Sequence, residues 1–343
     1  VGGDGGKSDG GKGNDGFQMD KRRGVIALLV ATTGMGLSGL LNRGSTRVDF
    51  FGGELVAGES IGAFMTVGRM GMGLVLFAIL LVLTHKTALF RRTRISPAIV
   101  LGGLSVGVSF AFYLVSALLT SLANAVFLIY TGPLFCTLLA RAFRKEPISR
   151  FQGLCLGAVF AGMLLTSGVV SVGSGGVSVG FSLGASTPEF PQKGLGDALG
   201  LLSGVFYGLS LFFNGYRKDC DSTVRGVWNF LFATVGSLAV ACAMCAAWPL
   251  GEVAMTPANW GFALALWIIC GPVGLGFLLV AGRNLPAVEY STISYWECVV
   301  SLLTSVLVFH EAMTAGTVIG GALIMLGGAL PAFQALRGSA ARP

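Results

Sequence analysis

Gly36-Leu37-Ser38-Gly39-Leu40-Leu41-Asn42 returns in the second half of the chain as Gly208-Leu209-Ser210-Leu211-Phe212-Phe213-Asn214. Each copy closes a long apolar stretch, the first at 24–42 and the second at 197–216. Working outward, further apolar stretches occupy 61–83, 97–119, 122–143 and 148–168, then 226–248, 258–281, 286–309 and 313–334. About 20 apolar residues cross a bilayer as a helix, so each stretch is a candidate span. Five precede a Ser/Gly-rich segment that begins near residue 170, and five follow it. An odd number sends the second copy into the bilayer from the opposite side. The expected fold is therefore an all-α integral membrane protein, with ten transmembrane helices arranged as two inverted five-helix repeats. Inverted repeats of this kind place a substrate site near the midplane, at the repeat interface.

Composition agrees. Of 343 residues 53% are hydrophobic and 11% charged, and mean hydropathy is +0.77. Soluble domains carry roughly 25% charged residues. The net charge of +7 does not indicate nucleic acid, because the basic residues sit in short clusters between apolar stretches. They fall before span 1 (Lys21, Arg22, Arg23) and after span 2 (Lys86, Arg91, Arg92, Arg94). Others follow span 4 (Arg141, Arg144, Lys145, Arg150), span 6 (Arg217, Lys218, Arg225) and span 8 (Arg283). The alternate loops are acidic or nearly uncharged. Ten spans with both termini cytoplasmic put every basic loop on one side of the cytoplasmic (inner) membrane.

The expected organisation is a disordered cytoplasmic tail (1–22), a first repeat (23–168), an external Ser/Gly-rich linker (169–196), a second repeat (197–336) and a cytoplasmic tail (337–343). Lys21-Arg22-Arg23 ahead of an apolar run also suits a signal peptide, but no small-residue cleavage site follows a short core. Gly6-Lys7-Ser8 imitates the end of a phosphate loop and lacks its upstream Gly, since Val1 stands there. Cys242-x-x-Cys245 has no second pair at metal spacing, so the cysteines read as thiols packed between helices. No cofactor and no metal site is expected.

Glycine numbers 53. In lipid, small residues let helices approach closely. Gly153-x-x-x-Gly157 in span 5 and Gly316-x-x-x-Gly320 in span 10 hold matching places. They are read as packing within one protomer, with a homodimer seam as the alternative.

Shifting the chain by 165 residues lays span 4 on span 9, so that Tyr130 meets Tyr295, Asn124 meets Glu289, Pro133 meets Cys298 and Glu146 meets Glu311. Each half ends on a helix, a short polar turn with Glu, then a Gly-rich helix. The first copy runs from Leu122-Ala-Asn-Ala-Val through Arg144-Lys145-Glu146 to Gln152-Gly153. The second runs from Leu285-Pro286-Ala287-Val288-Glu289 through Glu297-Cys298 and His310-Glu311 to Gly320. On these motifs the chain resembles a ten-helix permease of the EamA type, in the drug/metabolite transporter superfamily. The family carries Pro where this chain has Cys298, so a kink in span 9 is not implied here.

A charge at mid-bilayer costs roughly 2.5–3.5 kcal/mol on insertion scales, which makes intramembrane charges informative. Arg69 lies near the middle of span 2, Glu297 near the middle of span 9, and Glu289 about one turn into span 9. For Glu297 the readings are a proton-coupling or substrate-amine site, or a protonated carboxyl bracing the bundle. For Arg69 they are a substrate-carboxylate anchor, or an ion pair with an internal acid. Glu289 either snorkels to the interface or joins Asn124, its counterpart, in the cavity. Tyr130, Tyr295 and Trp296 are further midplane cavity candidates. Asn42 and Asn214 are candidates for helix-end or gating positions, and Pro133 and Pro272 for helix kinks that free backbone carbonyls.

The resemblance implies transport of a small molecule, and the family's frequent theme is export of an amino acid or related metabolite. Protons and membrane lipid are the other partners to consider. The competing readings are a flippase of a lipid-linked carrier, a sensor, and a membrane-embedded enzyme. The last would need a nucleophile–base or metal constellation, and the only two histidines are His85 and His310, both at span ends.

Overall fold

The computed structural model describes residues 21–48, 54–145, 149–166, 170–173, 176–179, 188, 190–214, 221–285, 293–294, 296–311 and 313–340. Helices α1 (Lys21–Gly36) and α2 (Ser38–Thr46) form the first span, broken only at Leu37. Then come α3 (Ile61–Leu83), the short α4 (Thr87–Arg92), α5 (Pro97–Leu119), α6 (Leu122–Ile129), α7 (Gly132–Arg144) and α8 (Arg150–Thr166). The second half holds α9 (Lys193–Asn214), α10 (Ser222–Ala247), α11 (Pro257–Ile268), a π-helical turn (Ile269–Val273), α12 (Gly274–Asn284), α13 (Trp296–Leu307) and α14 (Ala315–Ala340). Among the described residues seven helical segments are long and apolar enough to cross a membrane, and three shorter apolar helices (α8, α13 and the first part of α14) stand where spans 5, 9 and 10 were expected. The start of expected span 9, residues 286–292, and residue 295 lie outside the described residues.

Local chemistry sets the helix starts. Pro97 and Pro257 open α5 and α11, where a missing N–H costs nothing. Thr256 and Asn259 cap α11 reciprocally, Asn259 N donating to Thr256 Oγ1 (3.3 Å) and Thr256 N to Asn259 Oδ1 (2.9 Å). Asp221 caps α10, accepting from Thr223 N at 2.9 Å, and takes Lys86 Nζ at 2.8 Å. Partial burial pushes the Asp221 carboxyl up. The Lys86 ammonium and the amides of Thr223 and Val224 outweigh that and hold it below the usual carboxylate range.

The two halves interlock rather than stand side by side. α5 packs along α9 and α10, α3 along α10, α1 along α12, α2 along α11 and α8 along α14. The largest buried cluster accordingly draws Met65, Phe110 and Leu114 from the first half against Phe230 and Leu266 from the second. Close approach depends on glycine. A Cβ on Gly107 would lie 2.0 Å from Ala233 O, and one on Gly236 2.5 Å from Leu104 O, across the α5–α10 crossing. Gly162 and Gly320 do the same for α8 and α14, at 2.5 and 2.6 Å from each other's carbonyl oxygens. Gly320 thus packs within the protomer. Gly153 and Gly157 do not: a Cβ on either would meet nothing within 4 Å among the described residues, so the seam on α8 uses Gly162, one turn beyond the sequence motif.

Two ends are distinguishable. At the basic end α1 starts against Asn284 and Leu285, and Lys86 meets Asp221. At the far end Gly58 N donates to Leu250 O (2.8 Å), Ser60 Oγ to Trp248 O (2.9 Å), and Gly196 packs on Leu119. The expected linker is more structured than its composition suggests. Val170–Gly173 pairs antiparallel with Gly176–Val179, Phe190 is buried, and α9 begins at Lys193 rather than 197. Val at alternate hairpin positions favours pairing. The cysteines also divide: Cys155, Cys270 and Cys298 are buried, whereas Cys242 is exposed on α10.

Candidate functional site

The interlocked halves leave a small cavity between them, of about 80 Å³. Thr32 and Met35 of α1, Phe110 and Tyr113 of α5, and Tyr130 face it from the first half; Tyr207, Leu278, Ser294 and Glu297 face it from the second. Tyr130 gets there through a helix break. A continuous helix would need an N–H at Pro133, which has none, so α6 stops at Ile129 and α7 restarts at Gly132. Pro133 therefore opens a helix instead of kinking one. The Tyr130 hydroxyl donates to Ser294 O (3.4 Å) and lies beside the Glu297 carboxyl. Tyr113 is buried with its hydroxyl 3.3 Å from Ser38 Oγ. Aromatic rings and one carboxyl thus share a cavity built by both halves.

A second cavity, of about 260 Å³, adjoins the first toward the basic end, where Phe77, Gly226 and Asn229 line it. Met35, Phe110, Tyr207 and Leu278 line both cavities, so these four side chains stand between them. Phe110 meets Tyr207 edge-on at 6.4 Å.

Pro272 kinks its helix as its sequence suggests. The π-helical turn surrounds it, and Gly271 leaves helical geometry at φ −87°, ψ −107°. The freed Cys270 carbonyl accepts from Arg69 Nε at 2.9 Å. Arg69 is 0% exposed. Its Nη2 donates to Met35 Sδ at 3.0 Å, and its guanidinium lies over the Phe110 ring, 4.3 Å from the centroid. Among the described residues no acid forms an ion pair with it, so the expected salt bridge is absent there. Arg69 lines neither cavity.

Three other candidates lie elsewhere. Trp296 is 41% exposed and points outward, donating Nε1 to Thr33 Oγ1 at 3.0 Å; it is not a cavity residue, because the next position, Glu297, takes the inward face of α13. Asn124 is buried near the far end. Its Nδ2 donates to Asp197 Oδ1 (3.3 Å) and its Oδ1 accepts from Thr317 Oγ1 (3.0 Å). Asn42 is buried too, donating Nδ2 to Leu114 O at 2.9 Å. Tyr295 and Glu289 lie outside the described residues, as does the side chain of Asn214, which ends α9 at the end opposite Asp197.

Sequence reading overlooked a buried polar network at the far end. Arg43 on α2 forms an ion pair with Glu311, both nearly fully buried. Arg43 also donates to Ala117 O and Thr120 O, each at 3.2 Å, and lies over Phe309 at 4.6 Å. Glu311 accepts from Ser305 Oγ at 2.5 Å and from Leu122 N at 3.0 Å. Beside it Asp197 takes Lys193 Nζ (2.5 Å) and Thr120 Oγ1 (2.7 Å). These residues sit at predicted span boundaries, where charges ordinarily face water, and nothing in the pattern marked them as buried. Tyr113, Tyr207 and Phe110 were hidden among 24 Phe and 6 Tyr.

The pattern of the EamA-like transporter family matches residues 22–168 and 194–331. The chain belongs to that family. No curated protein sequence matches this EamA-like transporter. Among solved structures 15 chains match. One crystal structure, described only as that of a protein, shares 19% identity with a TM-score of 0.57, covering 93% of this chain and 99% of that chain; the likeness is one of fold. Membership makes the chain a multi-pass membrane transporter of the drug/metabolite type, with a small-molecule substrate, in a family of transporters rather than enzymes.

Proposed function

We propose that the chain is a secondary transporter that exports a small metabolite, an amino acid or related compound, across the cytoplasmic membrane by alternating access, with proton coupling through Glu297. The observation that carries this reading is the Glu297 carboxyl, set in a cavity to which both halves contribute. That is where inverted-repeat transporters hold their substrates. A carboxyl there takes either a proton or a cationic group of the substrate, and each displaces the other. Tyr113, Tyr130 and Tyr207 supply aromatic faces and hydroxyls to an amine and its neighbours.

The basic clusters put the basic end in the cytoplasm, with both termini there. The larger cavity then faces inward, and the Arg43–Glu311 network closes the outer end. This is the arrangement of an exporter loading from inside. The test is a metabolite-uptake screen in vesicles, with and without a pH gradient, repeated with Glu297→Gln. Gln keeps size and hydrogen bonding but fixes the position neutral. Loss of pH-driven transport with folding preserved is expected. Unchanged pH dependence in the Gln variant would make Glu297 structural and the carrier a uniporter.

A further inference from the structure

Arg69 is explained by neither expectation that the sequence raised. It touches no carboxylate among the described residues, and it borders neither cavity. A guanidinium has five N–H donors in a rigid plane, and here each of its contacts leads to a part with a structural task. Nε holds the Cys270 carbonyl, which opens the break between α11 and α12. Nη2 holds Met35 Sδ, and the face of the guanidinium holds the Phe110 ring. Met35 and Phe110 are two of the four side chains that separate the Glu297 cavity from the larger one. Among the described residues Nη1 has no hydrogen-bond partner, although Arg69 is fully buried. A charge this deep in the bilayer is costly, and apolar packing alone would not require it.

We infer that Arg69 is a positioning residue of the transport cycle, tying the helix break at Cys270–Pro272 to the Met35–Phe110 partition between the two cavities. The inference rests on the transport reading. The break is the place where α11 and α12 can change their mutual angle, since Pro272 offers no N–H and Gly271 is already non-helical. Any such change moves Cys270 O. Arg69, bonded to it and to both partition side chains, carries the movement to them. The path from the larger cavity to Glu297 therefore opens or closes with the hinge.

The test needs no substrate. Thr32→Cys places a thiol in the small cavity alone, and Ala233→Cys places one in the larger cavity alone. In the full chain reconstituted in liposomes, N-ethylmaleimide labelling of each introduced thiol is followed by peptide-resolved mass spectrometry. With Arg69 intact, position 32 is expected to label several-fold more slowly than position 233. Arg69→Met should raise labelling at 32 several-fold and leave 233 unchanged. Arg69→Lys keeps the charge but cannot hold both acceptors, so it should fall between. Met35→Leu removes only the sulfur acceptor and should shift the ratio less. General loosening of the fold raises both positions together, and that outcome overturns the inference, as does an unchanged ratio. If Arg69→Met fails to fold, the Lys and Leu variants decide on the same criterion. A shifted ratio in a protein that moves nothing in the vesicle screen would sink the transport reading while leaving the partition intact.

Discussion

Two buried polar regions of this bundle differ in how completely they are satisfied. At the far end Arg43 and Glu311 are paired, surrounded by carbonyls, hydroxyls and aromatic faces. Beside Glu297 stand the Tyr130 hydroxyl and open space, in a cavity of about 80 Å³. The first arrangement consumes its charges in holding segments together; the second leaves a carboxyl able to bind something else. In a membrane interior a polar side chain needs partners. Where the protein supplies them all, the group is a clamp. Where space remains, the group is available for exchange.

The contrast is sharpest in stability. Glu311→Gln or Arg43→Gln leaves one buried charge uncompensated and is expected to cost about 3–5 kcal/mol, read by denaturant titration in detergent. Replacing both partners by apolar residues of similar volume should recover most of that loss. A single-variant cost below about 1 kcal/mol would show that water reaches the pair. Gly107→Ala should cost about 1–3 kcal/mol by overpacking, because its methyl would lie 2.0 Å from Ala233 O; the same titration checks it. Glu297→Gln is expected within about 1 kcal/mol of wild type, as surroundings that accept a carboxyl accept its isostere, while pH-driven transport is lost. Equal losses of stability in the Glu297 and Glu311 variants would erase the distinction between clamp and exchange site.

The smallest effect belongs to the basic end. Lys86→Ala removes a partly exposed ion pair with Asp221 and should cost less than about 1 kcal/mol. A carboxyl held below its unfolded value adds stability above that value and loses it as pH falls through the lowered folded one. The difference between Lys86→Ala and wild type should therefore shrink in acid, and also at high salt. A difference that grows in acid would exclude Asp221 as the partner.

Glu297 and Pro272 were legible because charge and proline are rare inside apolar stretches, and Tyr130 because the 165-residue shift lays it on Tyr295. Trp296 and Asn124 were misplaced for one reason: successive helical residues point about 100° apart, and a sequence position gives no facing direction without neighbours. Trp296 sits one residue from Glu297 and looks outward. Asn124 lies less than two turns from Tyr130, in a different polar network.

By itself the sequence determined that this chain is a membrane bundle of two related halves, because hydropathy, helix length and basic-loop alternation are one-dimensional properties imposed by the bilayer. It also singled out Arg69, which is fully buried, and Glu297, which faces the small cavity. Only the tertiary structure decided what each does. Burial of Arg43, Asp197 and Glu311 at the helix ends, the partition between two cavities, and the choice of Gly162 over Gly157 at the α8–α14 seam all arise from how helices distant in sequence meet. Those meetings are set by rotation and close packing, which no single stretch encodes.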